Sequence, residues 1–338
     1  MKISVIVPCR NEQESILRFL EEVLTQIVPG CELELLVADG ASTDGTREML
    51  AGMMVRDARV RIVDNPELTT PSGLNYALDR ATGEVVIRMD VHTSYAPDYI
   101  RVCVETLERT GADNVGGPAR TRAHGYVQNA NSLAYHSFFS VGGARFHDVD
   151  YEGEVDTVVY GCWRREVFDR IGRFDTALVR NQDDEFNLRL KRAGGRIWQN
   201  PNIRSWYFPR ARLRDLFKQY RQYGYWKVSV IRKHRRPGAW RHLVPGALLI
   251  AAGLSIMVAL FWPPAIWVLV AAVGFYLLTS VTVSMVVCRH HSHWRYLPIM
   301  PLVFASYHLG YGIGFLEGLA ALLARRKSTQ AGFQDLTR

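Results

Sequence analysis

The chain has 338 residues, of which 41 are basic and 33 acidic, so its formal net charge is +8. A chain of this length forms one large domain or two smaller ones. The positive charge favours an anionic partner: a nucleotide diphosphate, a lipid headgroup or a nucleic acid. The five cysteines have no metal-site spacing, and their odd number argues against a disulfide framework, which favours a reducing cytosolic environment. The amino-terminal residues predict a strand rather than a signal peptide.

Four apolar segments near the amino terminus predict strands at residues 3–7, 33–38, 60–63 and 84–89. Segments of helical periodicity separate them, and Asn11 is predicted to cap the first helix, with Glu14 as its capping-box partner. This alternation predicts an α/β fold with a parallel, doubly wound sheet. The G-x-G-x-x-G fingerprint is absent after the first strand, which argues against a dinucleotide.

Polar residues, together with one proline, follow three of these strands where each strand ends. They are Pro8, Arg10, Glu12, Asp39, Asp90 and His92. Ligands bind beyond the carboxyl ends of strands in an open α/β sheet, so we expect these residues to form one substrate-binding edge. Crowded carboxylates repel unless a cation or hydrogen-bond donors join them. Asp90 and His92 are therefore predicted to hold a divalent cation, Mg²⁺ or Mn²⁺, although each acid alone could simply belong to a turn or a cap.

Three segments, in this order, resemble the inverting glycosyltransferases of family 2, which have the GT-A fold: residues 5–12 (VIVPCRNE), 37–46 (VADGASTDGT) and 72–75 (SGLN). The resemblance implies a nucleotide-sugar-binding domain with a mixed sheet, in which Asp39 binds the uracil and ribose side of a UDP-sugar. It also implies substrate-binding roles for Ser72 and Asn75. Residues 90–92 (DVH) stand at the position of the D-x-D motif, which binds Mg²⁺ or Mn²⁺ and the diphosphate. The histidine departs from that motif and leaves the metal's identity open.

A further helix is predicted to begin near Gln182 and to end at the glycines 194–195. Its first turn contains Asp183 and Asp184, and acids there suit the positive end of the helix dipole. A carboxylate facing a sugar hydroxyl can take its proton as the hydroxyl attacks C1, which inverts the anomeric centre. In family 2 the corresponding pair is usually Glu-Asp, with the Asp as base. The resemblance therefore assigns the catalytic base to Asp183, with Asp184 as the alternative.

An amphipathic segment, residues 206–236, follows the last predicted strand. Its apolar stripe and interspersed basic residues suit a membrane surface with anionic lipids, and a core helix explains the pattern about equally well. The segment also resembles, imperfectly, the Q-x-x-R-W element of processive family members. That resemblance implies that Gln219, Arg221 and Trp226 contact the diphosphate and the acceptor.

The composition changes sharply near residue 237, after which acids nearly vanish and long apolar runs appear. Runs of this length suit a membrane anchor. The sequence therefore predicts a glycosyltransferase domain at residues 1–236, a transmembrane region at 237–326 and a tail at 327–338. The predicted spans are about 243–262, 265–288 and 296–324.

The charges near these spans leave the topology open. The histidine-rich loop at residues 289–295 is interpreted as a cytosolic, membrane-proximal loop rather than a metal site. A single third span would place Arg325, Arg326 and Lys327 outside, against the positive-inside rule. A broken, re-entrant hairpin over the third region is the alternative.

Residues 193–198 (AGGRIW) and 223–227 (YGYWK) narrow the resemblance to the ExoA-type enzymes of succinoglycan and related exopolysaccharide pathways. This resemblance implies transfer of a sugar, with glucose expected, from a UDP-sugar to a polyprenyl-diphosphate-linked oligosaccharide. The implied location is the plasma (inner) membrane, with several spans and a cytoplasmic catalytic domain. Membrane lipids and other polysaccharide-assembly enzymes are the further partners that it implies.

Three alternatives remain. A polyprenyl-phosphate glycosyltransferase would use a lipid phosphate as nucleophile and would need no strong base. A processive polysaccharide synthase would need more spans and a complete Q-x-x-R-W element. A membrane scaffold could bind a nucleotide sugar without turnover. Nucleic acid is not expected as a partner, because the basic residues gather near the membrane boundary and not on an aromatic strand face.

Overall fold

The computed structural model describes residues 1–324, which form two compact units. The first unit comprises Met1–Thr121 and Arg145–Phe208, and the second comprises Arg122–Ala144 and the chain from Pro209 onward. The second unit therefore includes most of the segment 206–236 that the sequence assigns to the first domain. The described strands are β1 (Lys2–Cys9), β2 (Glu32–Asp39), β3 (Val60–Asp64), β4 (Val85–Arg88), β5 (Thr93–Tyr95), β6 (Asn114–Gly117), β7 (Arg120–Thr121), β8 (Gly153–Glu154), β9 (Val159–Arg164), β10 (Ile197–Gln199) and β11 (Ser205–Tyr207).

The described helices alternate with the strands in the first half of the chain and dominate the second. They are α1 (Ile16–Leu24), α2 (Thr46–Arg56), α3 (Thr70–Arg80), α4 (Tyr99–Thr110), α5 (Tyr126–Tyr135), α6 (Phe138–Val141), α7 (Glu166–Ile171), α8 (Gln182–Arg192), α9 (Leu213–His234), α10 (Val244–Ala259), α11 (Ile266–His290) and α12 (Met300–Leu323).

An eight-stranded mixed sheet forms the centre of the first unit, in the order β3-β2-β1-β4-β9-β6-β10-β8. The first four strands run parallel, as the sequence predicts. The sheet becomes mixed where β9 pairs antiparallel with both β4 and β6. A separate three-stranded sheet contains β5, β11 and β7.

Alternate residues of β1 contribute to two hydrophobic cores, one on each face of the sheet. Ile3, Val5 and Val7 pack with α1 and α4 on one face, and Ile6 packs with α3 and α8 on the other. Side chains of a strand point alternately to its two faces, and a parallel sheet is covered on both. β1 is therefore apolar along most of its length, and its polar residues lie near its two ends.

The start of α1 differs from the prediction. Ser15, and not Asn11, precedes the helix, and its side chain forms no capping hydrogen bond. Asn11 instead adopts a left-handed backbone conformation, with φ of 53°. Its backbone N–H donates to Ser42 Oγ, and its side-chain oxygen accepts from the Thr43 N–H, both at 2.8 Å. The predicted cap is therefore wrong, and Asn11 joins the loops that follow β1 and β2.

In the second unit, α9 and α12 approach each other at backbone distance. A Cβ atom on Gly314 of α12 would lie 1.8 Å from the carbonyl oxygen of Arg221, and one on Gly224 of α9 would lie 2.0 Å from that of Tyr311. Only glycine allows two helices to pack this closely. Because α12 is one continuous helix, the third apolar region does not form the broken hairpin that was the alternative.

One described helix is long and apolar enough to cross a membrane by length and composition. It spans Pro263–His290, with a mean hydropathy of 2.1 over its most apolar 18 residues, of which 6% are buried. Val244–Ala259 is a shorter apolar helix. Three spans are therefore not confirmed. Arg325, Arg326 and Lys327, and the predicted tail, lie outside the described residues.

Candidate active site

Three neighbouring strands bring the predicted site residues to one edge of the large sheet. Cys9, at the end of β1, pairs with Asp39 at the end of β2, and Ile6 of β1 pairs with Arg88 at the end of β4. The loops that follow these strands therefore emerge side by side at the carboxyl edge. This is the location at which an open α/β sheet binds ligands.

Asp39 is a buried carboxylate held by donors from two residues, Ser42 and Arg47. Ser42 Oγ donates to its Oδ1 at 2.5 Å, and Arg47 Nη1 donates to its Oδ2 at 3.0 Å. Arg47 also contacts Asp64 at 2.6 Å, and hydrogen bonds to Asp64 and Asp39 raise the pKa of the Arg47 guanidinium. The carboxylate is therefore fixed in orientation, as a group that recognises one face of a ligand must be.

Arg10 and Pro8 lie beside the two residues that flank Asp39 in the chain, Gly40 and Ala38. The Gly40 N–H donates to the Cys9 carbonyl at 2.8 Å, and a Cβ on Gly40 would lie 3.4 Å from the Arg10 side chain. The exposed Arg10 side chain thus lies over Gly40, next to Asp39. Pro8 lies within β1, where it pairs with Ala38.

Glu12 and His92 contact each other directly. The Nε2 atom of His92 lies 2.8 Å from Oε1 of Glu12, which is buried, whereas His92 is 56% exposed. The Glu12 backbone N–H donates to Thr46 Oγ1 at 2.7 Å, which fixes the loop that carries it. A carboxylate that holds one ring nitrogen of a histidine orients the other toward a ligand.

Asp90 is paired with a residue that the sequence analysis did not identify, Arg88. Nε and Nη2 of Arg88 donate to the two oxygens of Asp90, both at 3.1 Å, and Arg88 is only 5% exposed. Burial lowers the pKa of the Arg88 guanidinium, but the carboxylates of Asp90 and Asp183 raise it by more, so Arg88 stays cationic. The signal that could have found it is a single arginine in an otherwise apolar strand, because a buried charge requires a partner.

Asp183 lies in the first turn of α8, after Asn181 in a left-handed conformation with φ of 60°. Its Oδ1 accepts from the Asp184 N–H at 2.9 Å, and its Oδ2 lies 3.9 Å from Nη1 of Arg88. The carboxylate is 48% exposed. Arg88 therefore joins the carboxylate predicted as the base to the carboxylate predicted to bind the donor.

Two tyrosines that the sequence analysis also missed support this edge. The Tyr95 hydroxyl accepts from the Asp90 N–H at 2.7 Å. The Tyr160 hydroxyl bonds to Thr93 Oγ1, and its ring lies 5.9 Å from the Arg88 guanidinium. Tyr160 has a φ of 63°. Left-handed residues therefore occur in the loop after β1, in β9 and before α8.

A divalent cation fits this edge only as a site completed by a ligand. Among residues 1–324, no group of three or more His, Cys, Asp or Glu side chains could hold a metal, which also applies to the histidines of residues 289–295. Mg²⁺ in nucleotide sites uses one or two protein ligands together with phosphate oxygens. The Asp90 carboxylate is 30% exposed, and each of its oxygens keeps a lone pair beside the Arg88 hydrogen bond. The exposed Asp90 carboxylate therefore fits such a shared site, and His92 as its second protein ligand stays a prediction.

Ser72 and Asn75 make contacts that hold the fold together. Ser72 is buried and donates to Asn65 Oδ1 at 2.9 Å. The Asn75 amide donates to the Phe174 carbonyl at 2.8 Å and accepts from its N–H at 3.0 Å. These contacts are structural, and the implied substrate-binding roles stay predictions.

Gln219, Arg221 and Trp226 belong to α9 in the second unit. Gln219 Nε2 donates to the Tyr223 hydroxyl at 3.2 Å, and Arg221 forms a bidentate ion pair with Glu317 of α12 at 2.7 and 2.5 Å. Trp226 is 1% exposed. The role of these three residues in binding diphosphate and acceptor also stays a prediction.

Comparisons with known proteins agree with this architecture. Residues 4–172 match the family model for glycosyl transferase family 2. The chain is 29% identical over 324 residues to the succinoglycan biosynthesis protein ExoA of Rhizobium meliloti (strain 1021), covering 93% of this chain and 94% of that protein. It is 29% identical over 239 residues to a dolichyl N-acetyl-alpha-D-glucosaminyl phosphate 3-beta-D-2,3-diacetamido-2,3-dideoxy-beta-D-glucuronosyltransferase of Methanococcus voltae, covering 68% and 74%.

A solved structure shares the fold. The mannosyltransferase PcManGT from Pyrobaculum calidifontis, in complex with GDP-Man and Mn²⁺, superposes with a TM-score of 0.59 at 22% identity, covering 93% of this chain and 86% of that one. The mixed sheet with a polar carboxyl edge is thus a GT-A fold, the architecture of nucleotide-sugar transferases. The chain belongs to glycosyl transferase family 2 and is a glycosyltransferase.

Proposed function

We infer that the protein transfers a sugar from a UDP-sugar to a hydroxyl of a lipid-linked saccharide, with inversion at the anomeric carbon. The observation that carries this proposal is the convergence of two carboxylates on Arg88. Asp90 is bound by it directly, and Asp183 lies 3.9 Å away with half of its side chain exposed. A donor-side carboxylate and an accessible base at one edge are what single displacement requires.

The donor side would use the residues that follow β1, β2 and β4. Asp39 and Arg10 would contact the nucleoside and its phosphates, and Asp90 with His92 would hold a divalent cation, Mn²⁺ or Mg²⁺. Such a cation neutralises charge on a departing nucleoside diphosphate. Glu12 would orient the His92 ring through the contact at 2.8 Å. Asp183 would accept the proton of the acceptor hydroxyl as that oxygen attacks C1.

Two features support a lipid-linked acceptor at a membrane. The names of the relatives specify succinoglycan biosynthesis in one case and a dolichyl-linked sugar phosphate in the other. The helix at Pro263–His290 leaves almost all of its apolar surface outside the protein core, which suits a lipid environment. We propose a multi-pass plasma-membrane location with a cytoplasmic catalytic unit, a polyprenyl-diphosphate oligosaccharide as acceptor and glucose as the expected sugar.

The test is UDP release by the full chain purified in detergent. UDP-glucose and other UDP-sugars would be offered with Mn²⁺, Mg²⁺ or EDTA, with and without a lipid extract. We expect release that needs both lipid and cation. Asp183→Asn should lower kcat by about 10²–10⁴-fold, the range for loss of a general base. Asp184→Asn is the matched control from the same helical turn and should keep most of the activity.

Two other outcomes would contradict the proposal. UDP release that is indifferent to both Asp183 and Asp184 would indicate a phosphate nucleophile, because an ionised phosphate needs no base, whereas release lost only in Asp184→Asn would move the base to Asp184. Tight binding of a UDP-sugar without release, under conditions that include the lipid extract, would favour a nucleotide-sugar-binding scaffold instead.

A further inference from the structure

We propose that Arg88 is a positioning residue that fixes the distance between the donor-binding carboxylate of Asp90 and the base carboxylate of Asp183. The inference rests on the proposed function and adds a residue that acts through two carboxylates. Its basis is the geometry of one buried guanidinium between two carboxylates that come from distant parts of the chain.

The contact with Asp90 uses one side of the guanidinium. Nε and Nη2 each donate to a different oxygen of Asp90 at 3.1 Å. Such a bidentate pair fixes the plane of the carboxylate as well as its position. Asp90 therefore cannot rotate freely, although it is 30% exposed at the end of its strand.

The other side of the guanidinium faces Asp183. Nη1 of Arg88 is buried and has no hydrogen-bond partner among the described residues, and the nearest carboxylate oxygen is Oδ2 of Asp183 at 3.9 Å. The other oxygen of Asp183 already accepts from the Asp184 N–H. A small movement of Asp183 would therefore satisfy Nη1 and bring Oδ2 into a defined place.

Arg88 is itself well fixed, so it can transmit position. It is the last residue of β4 and is 5% exposed, and its guanidinium lies 5.9 Å from the centre of the Tyr160 ring. The guanidinium is planar and rigid, so its two sides cannot move independently. An attacking oxygen and a leaving group must lie in line, and a misplacement of about 1 Å costs about 100-fold in rate. Arg88 would supply that alignment between the base and the donor.

The test is Arg88→Lys in the full chain. Lysine keeps the charge but has one ammonium group, which cannot form the fork on Asp90 and also face Asp183. We expect kcat at saturating donor to fall about 100-fold. The affinity for UDP with Mn²⁺, measured by calorimetry, should fall about 10-fold, as for residues that orient metal ligands.

Arg189→Lys is the matched control. Arg189 forms a bidentate pair with the buried Glu185 on α8, the helix that carries Asp183, and makes no described contact with Asp90 or Asp183. Arg189→Lys should lower the unfolding temperature about as much as Arg88→Lys does. Below its unfolding temperature, it should keep the UDP affinity and kcat of the wild type. Should Arg88→Lys fail to fold, the neutral variant Arg88→Gln carries the same comparison.

The results separate this inference from the proposed function. Arg88→Lys with the kcat and UDP affinity of Arg189→Lys would overturn the inference while the transferase activity stands. A wild-type protein that releases no UDP contradicts the proposed function, and the calorimetric comparison still decides whether Arg88 orients Asp90. A positioning role through Asp183 also predicts that Arg88→Lys does not lower further the residual kcat of Asp183→Asn.

Discussion

Carboxylates have different surroundings at the two ends of the central strands. At the amino ends, Glu34 of β2 accepts hydrogen bonds from Ser4 Oγ and from the N–H and hydroxyl of Thr82, at 2.6, 2.6 and 2.9 Å. Its second oxygen pairs with Lys2 at 3.2 Å. The carboxylate is 4% exposed and every donor comes from the protein. This end of the sheet is closed.

The carboxyl ends of the same strands are open. Asp90 and Asp183 share one guanidinium, and both carboxylates remain partly exposed. His92 also remains exposed and contacts the Glu12 carboxylate. The comparison shows that charge alone does not mark a site. The Glu34 carboxylate, which is enclosed by donors of the fold, stabilises the fold, whereas the Asp90 carboxylate is fixed but keeps exposed lone pairs that are available to a ligand.

The largest effect should come from removing a carboxylate at the open end. Asp90→Asn keeps the size of the side chain but removes the charge that a cation requires. We expect UDP affinity in the presence of Mn²⁺ to fall by at least about 100-fold, because about 100-fold is already the upper range for residues that only orient a metal ligand. Mn²⁺ should also no longer improve UDP binding. Calorimetry with and without Mn²⁺ measures the UDP affinity and its dependence on the cation. Asp98→Asn is the control, because Asp98 pairs with Arg101 and Arg204 away from this edge. UDP binding that still responds fully to Mn²⁺ would remove Asp90 from the proposed site.

The closed end should respond in stability and not in activity. Burial raises the pKa of Glu34, but the hydrogen bonds from Ser4, Thr82 and Lys2 lower it by more, from 4.5 to about 2. A lowered folded-state pKa contributes stability above pH 4.5, and this contribution is lost as the pH falls toward 2. Glu34→Gln should therefore lower the free energy of unfolding by on the order of 2 kcal/mol at neutral pH and flatten its dependence on pH between 4.5 and 2.

Chemical unfolding in detergent at several pH values measures this effect. Glu32→Gln, two residues earlier on the same strand and exposed, is the control and should change stability by less than about 0.5 kcal/mol. Below the unfolding temperature, Glu34→Gln should keep the wild-type affinity for UDP. A loss of UDP affinity at unchanged stability would show that the two ends are not separate in function.

The same contrast explains which residues the sequence could reveal. Asp39 and Asp90 are visible because an apolar strand stops at each of them, and a strand end is defined by local pattern. Arg88 lies inside the apolar run, so its role depends on partners that only the fold brings near. The contact between Asp183 and the Arg88 guanidinium also joins residues that are distant in the chain. The assignment of Asp183 as the base came from the resemblance to family 2 and not from spacing.

Other expectations depended on contacts between distant segments. Asn11 has the composition of a helix cap, but the loop after β2 offers its side chain a backbone donor at 2.8 Å. Trp226 fits a binding motif by residue type, yet it is buried in the second unit. The third apolar region is predicted to span a membrane by its length, whereas α12 buries a stripe of glycines against α9. Tertiary packing decided the case of Asn11, whereas the binding role of Trp226 and the membrane span of the third region stay predictions.

The smallest expected effect comes from a serine-to-alanine change made at two positions. This pair of variants also tests the comparison most directly. Ser42 bonds to the Asp39 carboxylate at 2.5 Å at the open edge, whereas Ser72 bonds to Asn65 at 2.9 Å inside the fold. Each serine-to-alanine change should cost about 1 kcal/mol of unfolding free energy, because each removes a hydrogen bond to a buried group.

Only Ser42→Ala should also weaken UDP binding, by about fivefold, since 1 kcal/mol corresponds to about that factor in affinity. Ser72→Ala should leave UDP affinity within about twofold of the wild type, because its hydroxyl contacts Asn65 and the turn that starts α3. Parallel calorimetry and unfolding on the two variants give the answer. A weaker UDP affinity in Ser72→Ala at wild-type stability would restore the substrate-binding role that the resemblance implies, and would place the start of α3 in the donor site.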